Sequence, residues 1–260
     1  MNNRTPRQKE WYALAQKEQK FLSKKADRKE SALNKLLAEK IPEKLQNTLD
    51  TAFEKAFTLV FEKGTEIIEK TYKKENMEKD FKVNVYADKI HRTRKTIHRF
   101  SKNADVLSNV NLAISGISGV GMGLAGVGIP DIPIFTGMIL KCIYEISLNY
   151  GFDYSSDEEK YFILLIIKGA VSHGESLKKT DMEIETFMRN PKLPENYDFN
   201  QQIAETSRVL SKELLYMKFL QGIIIIGAIG GAYDVIYMKQ ISEYARIKYQ
   251  KRFLLNYRSK

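Results

Sequence analysis

The sequence predicts an all-α fold: a multi-helix domain with two glycine-rich apolar helical segments at its centre and amphipathic basic helices around them. Three observations carry this. Apolar residues recur at three and four, as at Leu45, Leu49, Ala52, Phe53, Ala56, Phe57 and Val60. Period-two alternation, the mark of a half-buried strand, is scarce. Two uncharged apolar runs, 106–130 and 219–233, are dense in glycine and bounded by charged segments.

In chain order, Thr5-Pro6 opens a helix, with Pro at its first helical position. The lysine-rich stretch to residue 40 carries sparse apolar points, among them Trp11, Leu14, Phe21 and Leu22, and reads as an exposed basic helical extension, 1–40. The domain proper, 41–258, starts with the amphipathic helix after Pro42, which ends near Gly64. Helical patterns follow at 65–75 and from about Val83 to Phe100, then the first uncharged run. After IPDIP an apolar helix covers Ile134–Leu148, and 151–157 is a loop. Ser156 stands three residues before Glu159, the spacing of a capping box, ahead of EEKYFILLIIKGAV. Residues 174–199, with Pro191 and Pro194, read as a polar connection. A helix near 200–218, the uncharged FLQGIIIIGAIGGAY and a basic amphipathic tail helix, 234–258, complete the chain.

The string GMGLAG at 121–126 fits G-x-G-x-x-G, but its context argues against a nucleotide site. A dinucleotide fingerprint needs a strand before it and a helix after it, whose N-terminus faces the pyrophosphate. Here NLAISGISGV precedes it and VGIPDIP follows, where two prolines block a continuing helix. Instead Gly116, Gly119, Gly123 and Gly126 are spaced three, four and three, one stripe of a helix that permits close backbone approach. Gly222, Gly227, Gly230 and Gly231 repeat the idea in the second run. Each glycine costs an exposed helix up to about 1 kcal/mol relative to Ala, so these segments need close packing against protein or lipid. Whether they are buried core, seated at an interface or membrane-spanning stays open.

No catalytic constellation emerges. The single cysteine, Cys142, and three scattered histidines leave no zinc site, and no cofactor is expected. Walker and nucleophile-elbow patterns are absent. Asp131 is the one acid in 106–140, and the reading preferred for it is a structural cap on the helix beginning near Ile132. An enzyme of unknown chemistry, a lipid or peptide hydrolase with Asp131 near its site, is the alternative. A soluble protein-interaction module is another.

The formal net charge is +10, and residues 1–102 account for all of it. Lys89, Arg92, Arg94, Lys95, Arg99 and Lys102 lie in a stretch, 89–104, that has no acid. Lys239, Arg246, Lys248, Lys251 and Arg252 follow the second apolar run. Both groups are candidate contacts for anionic membrane headgroups. Nucleic acid is disfavoured, since no recognised DNA- or RNA-binding motif accompanies the charge. The N-terminus lacks the apolar core of a secretory signal. The expected address is therefore the cytoplasm, peripheral or monotopic at the inner face of the membrane.

Several stretches resemble the EcsC family of bacterial proteins. They are KIPEKLQNTLDTAFEKAF, IPDIPIFTGMILKCIYEISLNYGFDYSSDEEKYFILLIIKGA and the closing GIIIIGAIGGAYDVIYMKQISEYARIKYQKRFL. IPDIP with the downstream YGFD and EEK is the most specific part. The resemblance favours membrane association, with an ABC transporter linked to protein secretion as a possible associate, and the leading reading is a membrane-associated, non-enzymatic protein that binds lipid through its glycine-rich segments. It carries no catalytic residues onto this sequence.

Overall fold

The computed structural model describes residues 4–26, 41–111, 131–220 and 232–256, with side chains at 4–26, 41–105, 132–216 and 236–256. All regular elements among the described residues are helical. Both glycine stripes, Gly116–Gly126 and Gly222–Gly231, lie outside the described residues, as does the Asp131 side chain.

Helix α1 (Pro6–Ala26) begins where Thr5-Pro6 predicts. The Gln8 amide donates to Thr5 Oγ1 and the Thr5 amide donates to Gln8 Oε1, a reciprocal capping box. Helix α2 (Glu43–Leu59) runs into a π-helical turn (Val60–Gly64) and a short α3 (Thr65–Glu69). Helices α4 (Lys74–His91) and α5 (Arg94–Asn111) replace the single helix expected over 83–100. The break has a local cause. Arg92 takes a left-handed conformation, φ 47°, and Thr93 and Thr96 exchange side-chain-to-amide bonds that start α5 afresh.

The centre is built by α6 (Asp131–Asn149), α7 (Asp157–Val171) and α10 (Ala232–Asn256). Around them α8 (Gly174–Arg189) packs on α7, and α9 (Phe199–Leu220) packs on α7 and α2. Helix α2 packs on α6, and α10 touches both α6 and α7, so the contacts close into a ring. Helices α4 and α5 cover the α6 side, and α1 lies across α5, α8 and α10. The stretch Ile132–Asn149 is long and apolar enough to span a bilayer, but 89% of it is buried inside the protein, which makes it a core helix.

Three expectations need correction. Residues 174–189 form a helix whose buried stripe is Leu177, Thr180, Ile184, Phe187 and Met188, so only 190–198 is a polar connection. The N-terminal helix buries Leu14 and Phe21 in the common core instead of standing exposed, with Phe21 stacked on Tyr244 at 4.9 Å. The basic tail helix is no surface amphipath. Tyr237, Ile241, Tyr244, Ile247, Tyr249 and Phe253 bury several of its faces.

Close approaches fix this packing. Gly151 takes φ +80° and ends α6 in a Schellman motif, with Phe152 N–H donating to Ser147 O and Gly151 N–H to Leu148 O, both at 2.9 Å. A Cβ there would meet the Phe81 ring of α4 at 2.2 Å. At Gly169 of α7 a Cβ would come within 2.8 Å of Tyr244 on α10. Gly151→Ala is expected to lower stability by about 2 kcal/mol or more, from left-handed strain and overpacking together, measured by urea denaturation. Cys142 is fully enclosed, and burial pushes its thiol up to about 11. It should resist a disulfide-exchange reagent at pH 8 in the folded protein and react at once in denaturant.

Candidate functional site

Every basic residue singled out on α4 and α5 is exposed. Lys89 stands in the last turn of α4, Arg92 sits at the turn, and Arg94, Lys95, Arg99 and Lys102 follow along α5. The inner face of α5 explains the arrangement, since Thr96, Ile97, Phe100, Ser101 and Ala104 turn inward at helical spacing. Arg94 is half-exposed and pairs with buried Glu10 of α1 at 2.8 Å. Asp88, the last acid before this stretch, is buried and accepts from Thr96 Oγ1 at 2.5 Å.

The second basic group behaves in the opposite way. Lys239 is exposed, but Arg246 pairs with Asp105, and the other three turn into the protein. Lys248 has no exposed side-chain surface and lies 2.5 Å from Glu18, 2.6 Å from Asp181 and 2.9 Å from Glu185. Lys251 donates to Glu18 and Glu185, each at 2.7 Å. Arg252 pairs with Glu159 at 2.6 Å and lies over the Phe152 and Phe162 rings at 4.2 and 4.7 Å. Lys248, Lys251 and Arg252 are therefore internal ion-pair residues and not headgroup contacts. Arg246 already has its own carboxylate.

The carboxylates of Glu18, Asp181 and Glu185 approach within 4.8 Å of one another, a spacing that suits a cation. The Lys248 ammonium fills that role. Burial works to lower its pKa, but the three acids outweigh burial and hold it above the ordinary lysine value. Burial works to raise the Glu185 pKa, and Lys248 with Lys251 holds it below the ordinary carboxylate value. Burial raises the Glu159 pKa against the pull of Arg252 and of the Tyr249 hydroxyl, which donates to Glu159 at 2.6 Å.

Among the described residues, the two groupings that most resemble catalytic ones do not assemble as such. His98 lies near both Ser101 and Glu10, but both contacts use the same ring atom, Nδ1, at 3.2 and 3.4 Å. A triad needs one ring nitrogen for the nucleophile and the other for the acid. The Tyr72 hydroxyl donates to Tyr154, and Tyr154 donates to Glu69, which also takes Lys74 at 3.2 Å. Tyr154 stacks on Tyr144 at 4.0 Å, so the cluster is satisfied from within.

The residues that carried the family resemblance are placed by the same contacts. Tyr150 is buried, Gly151 makes the left-handed cap, and Phe152 packs on Tyr249 and Arg252. Asp153 accepts from the Ser155 amide at 3.0 Å. Ser156 caps α7 through the Glu159 amide, but the Glu159 carboxylate goes to Arg252 and Tyr249 and leaves the capping box half made. YGFD and EEK thus fasten the α6–α7 hairpin to α10. The model of the EcsC protein family matches residues 8–254. This chain belongs to the EcsC protein family. Protein EcsC of Bacillus subtilis (strain 168) is 27% identical over 218 residues, covering 83% of this chain and 82% of that protein. No solved structure matches this EcsC-family chain.

Sequence reasoning missed one exposed feature beside the basic surface. Val83, Tyr86 and Ile90 on α4 stand 63%, 68% and 57% exposed. Their spacing of three and four marks a single stripe, and that signal was legible in the sequence once the helix was extended back to Lys74.

The ion-pair cluster makes a definite prediction. Lys248→Ala removes this ammonium from the buried Glu18 and the half-buried Asp181 and Glu185, of which Glu18 and Glu185 keep Lys251, and should cost about 3 kcal/mol in urea denaturation. The pH dependence has the sign of a lowered carboxylate. The contribution of Glu185 is complete above its unfolded pKa of 4.5 and is lost as pH falls through the lower folded value. The contribution of Lys248 is complete below 10.5 and is lost only as pH rises through its higher folded value. Melting temperatures of the native protein should therefore fall at both extremes.

Proposed function

We propose that this EcsC-family protein binds the inner face of the membrane peripherally, through the basic surface that runs from Lys89 to Lys102. One observation carries the reading. Six basic side chains from a segment without exposed acid all face solvent, whereas Lys248, Lys251 and Arg252 of α10 are consumed inside the fold. A surface that keeps its cations outward suits a partner rich in negative charge. Each basic residue held near an anionic bilayer contributes about 1 kcal/mol, so several of them together suffice for salt-sensitive binding.

Anionic phospholipid is favoured over nucleic acid for a structural reason as well. The surface is a helix–turn–helix corner with an exposed apolar stripe alongside, and apolar side chains of that kind find a place in a bilayer. The chemistry asked of the protein is adhesion.

The test is sedimentation with vesicles of phosphatidylcholine alone and of phosphatidylcholine with phosphatidylglycerol. Binding only to the anionic vesicles, reversed by salt, is the expected outcome. Lys95→Gln/Arg99→Gln/Lys102→Gln removes three outward charges and should weaken that binding by about a hundredfold, with an unchanged melting temperature. No binding to either vesicle at low salt would overturn the proposal.

A further inference from the structure

The basic surface explains attraction to a bilayer but not what enters it. Helix α4 is apolar on two opposite faces. Met77, Phe81 and Val85 point inward and pack against the core, with the Phe81 ring 5.9 Å from Phe100 and 6.3 Å from Phe253. Val83, Tyr86 and Ile90 point outward and are all more than half exposed. Single exposed apolar residues are ordinary, but three in a row on one helix face, with the inner face already satisfied, mark a contact surface.

The surroundings of the stripe say what that contact is. Lys79 is in line with it, and Lys82 and Lys89 flank one side, all exposed. Between Phe81 and Ala104 the sole acid is Asp88, whose buried carboxylate is engaged by Thr96. The exposed acids of the helix, Glu75 and Asp80, lie toward its N-terminal end. The C-terminal half therefore presents apolar side chains bordered only by cations. That is the pattern of a helix lying in a membrane interface, its lysines reaching to headgroups while aliphatic groups sit among acyl chains. A tyrosine in the middle suits the headgroup boundary, where its ring is shielded and its hydroxyl remains wet.

We infer that α4 is a membrane-insertion site: Val83, Tyr86 and Ile90 enter the acyl boundary of an anionic bilayer, C-terminal half deepest, while Lys82 and Lys89 hold phosphate headgroups. This rests on the reading of the neighbouring basic surface as lipid-facing, and adds to it the element that embeds. A protein partner or a second copy would meet the lysine border less favourably than a lipid phosphate layer does.

The chain carries one tryptophan, Trp11, so the double variant Trp11→Phe/Tyr86→Trp reports from the stripe alone. In the free protein its fluorescence should be quenched by acrylamide. Adding phosphatidylcholine/phosphatidylglycerol vesicles should shift emission to the blue, block acrylamide and allow quenching by brominated acyl chains. Val83→Ser/Tyr86→Ser/Ile90→Ser should lose about a hundredfold or more in vesicle binding, with an unchanged melting temperature because all three side chains are exposed. Vesicle binding that persists while the introduced indole stays open to acrylamide would overturn insertion and leave the electrostatic reading standing. No binding of the unaltered protein to anionic vesicles would overturn both. An indole already shielded in the free protein would also overturn the inference. Concentration-dependent sedimentation would then identify a second copy as the cover, and its absence another segment of the same chain.

Discussion

A lysine ammonium with no exposed surface, enclosed by three carboxylates from two other helices, is the constraint on which this fold depends. Lys248 stands on α10, Glu18 on α1, and Asp181 with Glu185 on α8. A charge taken out of water is tolerated only where opposite charges meet it at hydrogen-bond distance. The three helices must therefore arrive together and in register. The Tyr244 hydroxyl donates to Asp181 at 2.5 Å, and Lys25 of α1 donates to the Ala170 carbonyl and to Gln240. These contacts tie the first helix to the last. Such an arrangement contributes more to specifying which helices meet than to net stability, because desolvation offsets much of the attraction.

The same economy accounts for α10 as a whole. Its composition is that of a surface helix, yet most of its side chains are buried. Arg252 is held by Glu159 and by aromatic faces, Tyr249 by Glu159, and Tyr237 by the Glu213 carbonyl. These polar groups enter the core with partners already there, although the Arg252 Nε itself makes no hydrogen bond. The signature around Gly151 and Glu159 supplies the partners of Tyr249 and Arg252, which gives a physical reason for those residue types at those positions.

With Lys248, Lys251 and Arg252 of α10 turned inward, outward cations of the described residues stand mainly on other helices, Lys9, Lys17, Lys20 and Lys24 of α1 among them. Helices α4 and α5 meet at Arg92 and carry a further run of outward lysines and arginines, with an apolar stripe next to them. An inward network holds the helices together, and an outward basic corner stays exposed to solvent. The two sets of basic residues look alike in the sequence and differ only in what faces them.

Helical periodicity sufficed for the all-α class, the start of α1 at Pro6, the buried face of α2 and the cap of α7 at Ser156, because these depend on residues within a few positions of one another. It did not suffice for α8, where a sparse apolar stripe and two nearby prolines resemble a linker until α7 and α1 are seen to cover it. Nor did it reveal the break at Arg92, which turns on two threonines capping each other. By itself the sequence determined helix type, the cations of the 89–102 stretch and the family. Only the tertiary structure decided which cations remain outside, since Lys248 meets Glu18 across 230 residues of chain and charge pairing at that separation leaves no local pattern.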